Sequence, residues 1–118
     1  MRASVLVINY NGEKYIKQCI QSLKKQTYSN LEIIFFDDCS TDKSLEEIKK
    51  FSDIKLIQNS THTEHGSYNQ IEGLKRSFQI CTGDIIFFLD SDDFFHDKKI
   101  ASVECPPKKH FSLTQDNW

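Results

Sequence analysis

The acidic segment Asp90-Ser91-Asp92-Asp93 places three carboxylates within four positions, directly behind the apolar run Ile85-Ile86-Phe87-Phe88-Leu89. Carboxylates packed so closely repel one another unless a cation lies between them. Hard divalent ions such as Mg²⁺ or Mn²⁺ favour such oxygen donors. The chemistry open to this arrangement is metal-assisted handling of a phosphorylated substrate. A plain polar turn after a strand competes with it, because Asp and Ser are ordinary turn residues.

The elements that would position these groups repeat one pattern along the chain. Residues 3–8 form an apolar run ending in Asn9-Tyr10-Asn11-Gly12, and residues 31–36 end in Asp37-Asp38-Cys39-Ser40. A shorter run at residues 54–57 ends in Gln58-Asn59-Ser60. Between them lie stripes at helical spacing: Tyr15, Ile16, Cys19, Ile20 and Leu23, then Leu45, Ile48 and Phe51, then Ile71, Leu74, Phe78 and Cys81. Ser40, Thr41 and Asp42 are suitable N-caps for the second helix, and Gly83 is placed to end the third. The order β-α-β-α-β-α-β predicts a doubly wound, mostly parallel sheet with the first and fourth strands adjacent. Such sheets bind ligands at the carboxyl ends of their strands. Asn11, Asp37, Asp38, Asn59, Asp90, Asp92 and Asp93 would then line one crevice.

Composition narrows the classes. A chain of 118 residues with 38% hydrophobic and 27% charged residues suits one globular domain. Its net charge of −2 carries no footprint of nucleic-acid binding. Every apolar run is strand-length, well short of the ~18–20 residues of a membrane span, and no signal peptide is expected. Cys19, Cys39, Cys81 and Cys105 lie far apart with no Cys-x-x-Cys pair, which predicts free thiols in a reducing cytoplasm. Neither a Gly-x-Gly-x-x-Gly fingerprint nor a P-loop is present, and with four glycines a glycine loop cannot be the main phosphate cradle.

Three blocks in order carry a resemblance. They are Ser4-Val5-Leu6-Val7-Ile8-Asn9-Tyr10-Asn11-Gly12, then Gln26 to Ile34 leading into Asp37-Asp38-Cys39-Ser40-Thr41-Asp42, then Gly83 to Asp93. Together they resemble the family 2 glycosyltransferases, enzymes of the Rossmann-like GT-A fold that use nucleotide-sugar donors. The resemblance implies that the segment around Asn9 and Asn11 frames the base and ribose. It implies that Asp38 hydrogen-bonds the nucleobase, commonly uracil, with Asp37 shaping the loop. Asp90, Asp92 and Asp93 match the cluster that contacts the ribose and binds Mn²⁺ or Mg²⁺. The expected partners are a nucleotide-sugar donor, UDP-linked by family preference, and a glycan or lipid-linked acceptor, as in polysaccharide biosynthesis. A cytoplasmic protein, at most peripheral to the membrane, is expected.

Two departures qualify this. The zone that often holds an Arg-Asn pair reads Gly73-Leu74-Lys75-Arg76-Ser77, so Lys75 and Arg76 are either donor contacts or solvated charges. The family's acceptor site and acidic base normally lie beyond the donor half. Here only Asp97, Glu104 and Asp116 follow the acidic cluster, none in a recognisable base motif. Residues 1–104 are therefore read as a nucleotide-binding domain, truncated relative to the family, and residues 105–118 as an irregular tail. Self-association through the uncovered surface is expected. His62 and His65 read as a polar loop rather than a metal pair, His96 as a marginal ligand, and Tyr10 as a base stacker or a strand cap. A nucleotide-sugar-binding module without chemistry and, more remotely, a receiver-like signalling domain remain as alternatives.

Overall fold

A computed structural model describes residues 2–59, 66–95, 100 and 110–113, with side chains described throughout except at 66–70 and 110–113. His62, His65, His96, Asp97, Glu104, Cys105 and Asp116 lie outside the described residues. Along the chain come β1 (Ala3–Asn9), α1 (Glu13–Lys24), β2 (Leu31–Asp37), α2 (Ser44–Ile48), β3 (Ile54–Gln58), α3 (Gly66–Ile80), β4 (Ile85–Asp90) and β5 (His110–Leu113). The five strands form one sheet in the order β3-β2-β1-β4-β5, and every pairing is parallel. The first and fourth strands are adjacent, as the element order predicts. β5 departs from expectation, because residues 110–113 extend the sheet edge within a stretch read as irregular. Four residues are too few for a periodic signal to stand out, and it is pairing with β4 that makes them a strand.

Both faces of the central strands are covered, which is why those strands read as near-continuous apolar runs. Ala3, Val5 and Val7 of β1 pack with Ile33, Phe35, Phe87 and Leu89 beneath Ile16, Cys19, Ile20 and Leu23 of α1. Tyr15 is 48% exposed and does not belong to that stripe. The alternate side chains Leu6, Ile34 and Ile86 face the other way and cluster with Cys81. α2 stops at Ile48, before Phe51, so only Ile48 of the expected stripe is fully buried.

α3 meets the sheet through small residues rather than through its apolar stripe. Gly73 and Ser77, one turn apart, are buried, whereas Ile71 is 62% exposed and Phe78 37%. The cause is Phe36, whose ring would lie 2.4 Å from a Cβ at position 73. Only glycine admits so close an approach. Gly83 is likewise a close-approach residue and not a left-handed helix cap, since a Cβ there would sit 2.4 Å from Ser4 Oγ and no described glycine has positive φ.

Glu32 fastens the amino end of the sheet. Its carboxylate is 5% exposed and accepts hydrogen bonds from Ser4 Oγ at 2.9 Å, Thr82 N at 2.7 Å and Thr82 Oγ1 at 2.6 Å. Lys55 Nζ at 3.3 Å and Arg2 Nη2 at 3.5 Å supply compensating charge. Burial alone would raise this carboxyl. The hydrogen bonds from Thr82, Ser4 and Lys55 more than offset it and lower its pKa to about 2.

Two predictions follow from packing and linkage. A folded pKa below the ordinary glutamate value means that Glu32 stabilises the fold above pH ~4.5, and that this contribution fades as pH falls toward about 2. Urea midpoints should show Glu32→Gln weaker than wild type by about 2 kcal/mol at neutral pH, with the gap closing across that acid window. Ser77 Oγ is buried and has no hydrogen-bond partner among the described residues. Ser77→Ala should therefore raise the urea midpoint, by an amount equivalent to about 1 kcal/mol.

Candidate functional site

The carboxyl ends of β1, β2, β3 and β4 turn polar together, and hydrogen bonds join them. Asn9 closes β1 with its side chain 1% exposed. Its Nδ2 donates to Asp37 Oδ1 at 2.9 Å and to Ser40 Oγ at 3.3 Å, while its Oδ1 accepts from Ser91 Oγ at 2.7 Å. Three strand ends thus meet at one side-chain amide. The backbone continues the pattern, with Asp38 N donating to Asn9 O at 2.9 Å and Asn59 N to Asp37 O at 2.8 Å.

Asp37 is buried and used up by its own loop. Besides Asn9, it accepts from Ser40 Oγ at 2.6 Å and from Ser40 N at 3.0 Å. Ser40 is accordingly a loop pin and not an N-cap. The spacing Asp37-x-x-Ser40 carried that signal, because Asp readily bonds the backbone just ahead of it. Asp38 is 4% exposed and accepts from Asn59 Nδ2 at 3.0 Å, so it stands in a rigid setting at the rim.

Asn11 has φ 53° and turns its amide oxygen onto the neighbouring loop, accepting from Thr41 N at 2.8 Å and Asp42 N at 3.3 Å. Its own N–H donates to Ser40 Oγ at 2.9 Å. In this arrangement Asn11 shapes the second loop.

The N-cap of α2 is Lys43 and not Ser40, Thr41 or Asp42, but Asp42 bonds the first residue of two helices at once. Its Oδ1 accepts from Ser44 N at 2.9 Å, at the start of α2, and its Oδ2 from Glu13 N at 3.1 Å, at the start of α1. Burial would raise its carboxyl, but the bonds from Ser44 and Glu13 outweigh that and hold it below the usual aspartate range.

Asp90, Asp92 and Asp93 converge as expected. One oxygen from each lies within 4.8 Å of the others. Asp90 and Asp92 are exposed and Asp93 half-buried, while Ser91 between them is 6% exposed and turned inward. A tight turn sets this up, with Asp93 N donating to Asp90 O at 2.9 Å. Burial and the charges of Asp92 and Asp93 push the Asp90 carboxyl upward. Burial with the same three charges raises the Cys19 thiol to about 12. This is a concentrated negative field on oxygen donors, which fits a hard divalent ion.

Sequence reasoning missed Ser91 as a structural partner, since a serine in an acidic turn looks like filler. Arg76 lies over the Phe36 ring, 5.6 Å from its centroid, and its Nη2 donates to Gln58 O at 3.4 Å. Neither reading of Arg76 anticipated that stacking. Tyr10 is 46% exposed. Cys19, Cys39 and Cys81 are free thiols, as expected.

Residues 4–103 match the profile of Glycosyl transferase family 2. The chain belongs to that family. A glycosyltransferase of Haemophilus influenzae, itself uncharacterised, is 37% identical over 98% of this chain and 46% of its own length. Among solved structures, Staphylococcus aureus TarS in complex with UDP-GlcNAc superposes with a TM-score of 0.73 at 32% identity, over 86% of this chain and 29% of that one. Glucosyl-3-phosphoglycerate synthase of Mycobacterium tuberculosis, in complex with UDP, superposes with a TM-score of 0.61 at 26% identity, over 77% of this chain and 34% of that one. The chain thus spans less than half the length of each. The GT-A fold anticipated from the three sequence blocks is the fold observed, and the receiver-like alternative is displaced. No helix among the described residues is long and apolar enough to cross a membrane.

Cys39 has φ 56°, a left-handed conformation that costs a β-carbon-bearing residue about 1–2 kcal/mol. Cys39→Gly should therefore raise stability by about 0.5–1 kcal/mol, after the extra chain entropy of glycine is counted, readable as a higher thermal midpoint.

Proposed function

We propose that this chain binds the donor of a family 2 glycosyltransferase, a nucleoside-diphosphate sugar, with UDP as the nucleotide. The observation that carries this is the meeting of two acidic groups on one rim, Asp38 after β2 and the Asp90, Asp92 and Asp93 turn after β4, joined through Asn9. Family membership and likeness to TarS, crystallised with UDP and with UDP-GlcNAc, support the donor class.

Asp38 is assigned to the nucleobase and holds a carboxylate oxygen in place through Asn59. Asp90, Asp92 and Asp93 would hold Mn²⁺ or Mg²⁺. A divalent ion supplies electrostatic stabilisation to the diphosphate as the bond to the sugar breaks. Asn9, Asn11 and Asp37 act on the nucleotide through loop shape, since their hydrogen bonds hold the loops after β1 and β2 together. The acceptor is proposed to be a glycan or lipid-linked hydroxyl, attacked with inversion. Inversion requires a general base, and none of the described residues is assigned that role. The chain is expected to bind donor nucleotide through these groups.

Calorimetry with UDP in the presence of Mn²⁺ or of EDTA tests the assignment. Asp38→Ala should weaken UDP binding in both conditions, because it acts on the base. Asp92→Ala and Asp93→Ala should remove chiefly the gain that Mn²⁺ brings. Equal UDP affinity in EDTA and Mn²⁺ for the wild type would remove the metal assignment.

A further inference from the structure

Ser91 sits between the clustered carboxylates of Asp90, Asp92 and Asp93 yet turns its hydroxyl toward Asn9. Its side chain is 6% exposed, and its hydroxyl donates to Asn9 Oδ1 at 2.7 Å. Its backbone N–H donates to Ile8 O at 3.1 Å, so the turn is held to β1 at two points. Asn9 passes the connection on through Nδ2 to Asp37 Oδ1 at 2.9 Å, and its own carbonyl accepts from Asp38 N at 2.9 Å. A continuous buried path therefore runs from the acidic turn after β4 to the acidic loop after β2.

Gly12 closes over this path. A Cβ there would lie 2.5 Å from Asn9 Oδ1 and 2.6 Å from Ser91 Oγ. Any side chain at position 12 would push into the bond, so the chain keeps space for it.

We propose that Ser91 and Asn9 are positioning residues that couple divalent-ion binding at the acidic turn to nucleotide binding at Asp38. This rests on reading the rim as a metal and nucleotide site. Three mutually repelling carboxylates tend to splay unless the turn that carries them is tethered. The Ser91 hydroxyl is the side-chain tether, and Asn9 fixes its far end to the base loop. An amide serves this role because one face accepts while the other donates, so it can join a hydroxyl to a carboxylate. Partners that orient ligands from behind typically change metal affinity by about 10- to 100-fold.

The test compares UDP affinity in Mn²⁺ with that in EDTA, for the wild-type chain, Ser91→Ala and Ser91→Cys. The reading is the ratio of the two affinities. Ser91→Ala should keep its EDTA affinity within about twofold and lose about tenfold of the Mn²⁺ gain. Ser91→Cys, which retains a side chain but donates only weakly, should fall between. Should Ser91→Ala fail to fold by circular dichroism, Ser91→Cys makes the same comparison. A merely structural role would lower both affinities alike and leave the ratio unchanged, which overturns the coupling. An intact Mn²⁺ gain in both variants overturns it too while leaving the site reading in place. A wild-type chain with no Mn²⁺ gain overturns the site reading and the coupling together.

Discussion

The arrangement of this rim depends on one buried amide. Asn9 ends the central strand with its side chain out of water, where an unpaired donor or acceptor costs about 1–3 kcal/mol. Its groups are satisfied only if β2 delivers Asp37 and β4 delivers Ser91 to fixed positions. Parallel pairing of β1 with both neighbours makes that delivery automatic, because Asn9 stands opposite Asp37 and Ile8 opposite Asp90 in register. A slip of one residue in either pairing would reverse the faces of the apolar side chains and orphan the amide at the same time. Core packing and site geometry therefore specify the same register.

The two ends of the sheet treat negative charge in opposite ways. At the amino end, Glu32 is buried and neutralised by hydroxyls, an amide and two basic side chains, so its charge stabilises the fold. At the carboxyl end, Asp90 is pushed upward by burial and by Asp92 and Asp93, so its charge works against the fold. Carboxyls perturbed in this direction by their own neighbours are commonest at functional sites. The Cys19 thiol, raised to about 12 beneath the same field, stays protonated and inert as a packing group in α1.

Two of the three left-handed residues among the described ones lie at this rim, the third being Asp53 ahead of β3. Asn11 and Cys39 adopt left-handed backbone conformations in the two loops that flank Asn9. Asn11 recovers part of the cost by accepting from Thr41 and Asp42, which ties the first loop to the second. Asp42 extends the tie by accepting from the first backbone N–H of both α1 and α2. The loops thus behave as one hydrogen-bonded body, a preorganised surface for a ligand rather than a set of loose ends.

Much of this was legible in the residues alone. The alternation of apolar runs and helical stripes predicted a parallel sheet with β1 and β4 adjacent, because burial on both faces leaves few other solutions, but it did not reveal β5 at the edge. The three sequence blocks determined the family, and the positions of Asp38 and Asp90, Asp92 and Asp93 at strand ends determined that they share a rim. Tertiary structure alone decided which polar residues at the rim bond one another and which stay exposed. Asn9, Asp37, Ser40 and Ser91 look in sequence like Asp90 and Asp92, yet neighbouring elements bring the first four together in one hydrogen-bonded set while Asp90 and Asp92 stay exposed. The same holds for α3, where the stripe of Ile71 and Phe78 yields to Gly73 and Ser77 because the bulk of Phe36 opposite selects the helix face that can approach. Periodicity records what each element could bury. Only the partner surface decides what it does bury.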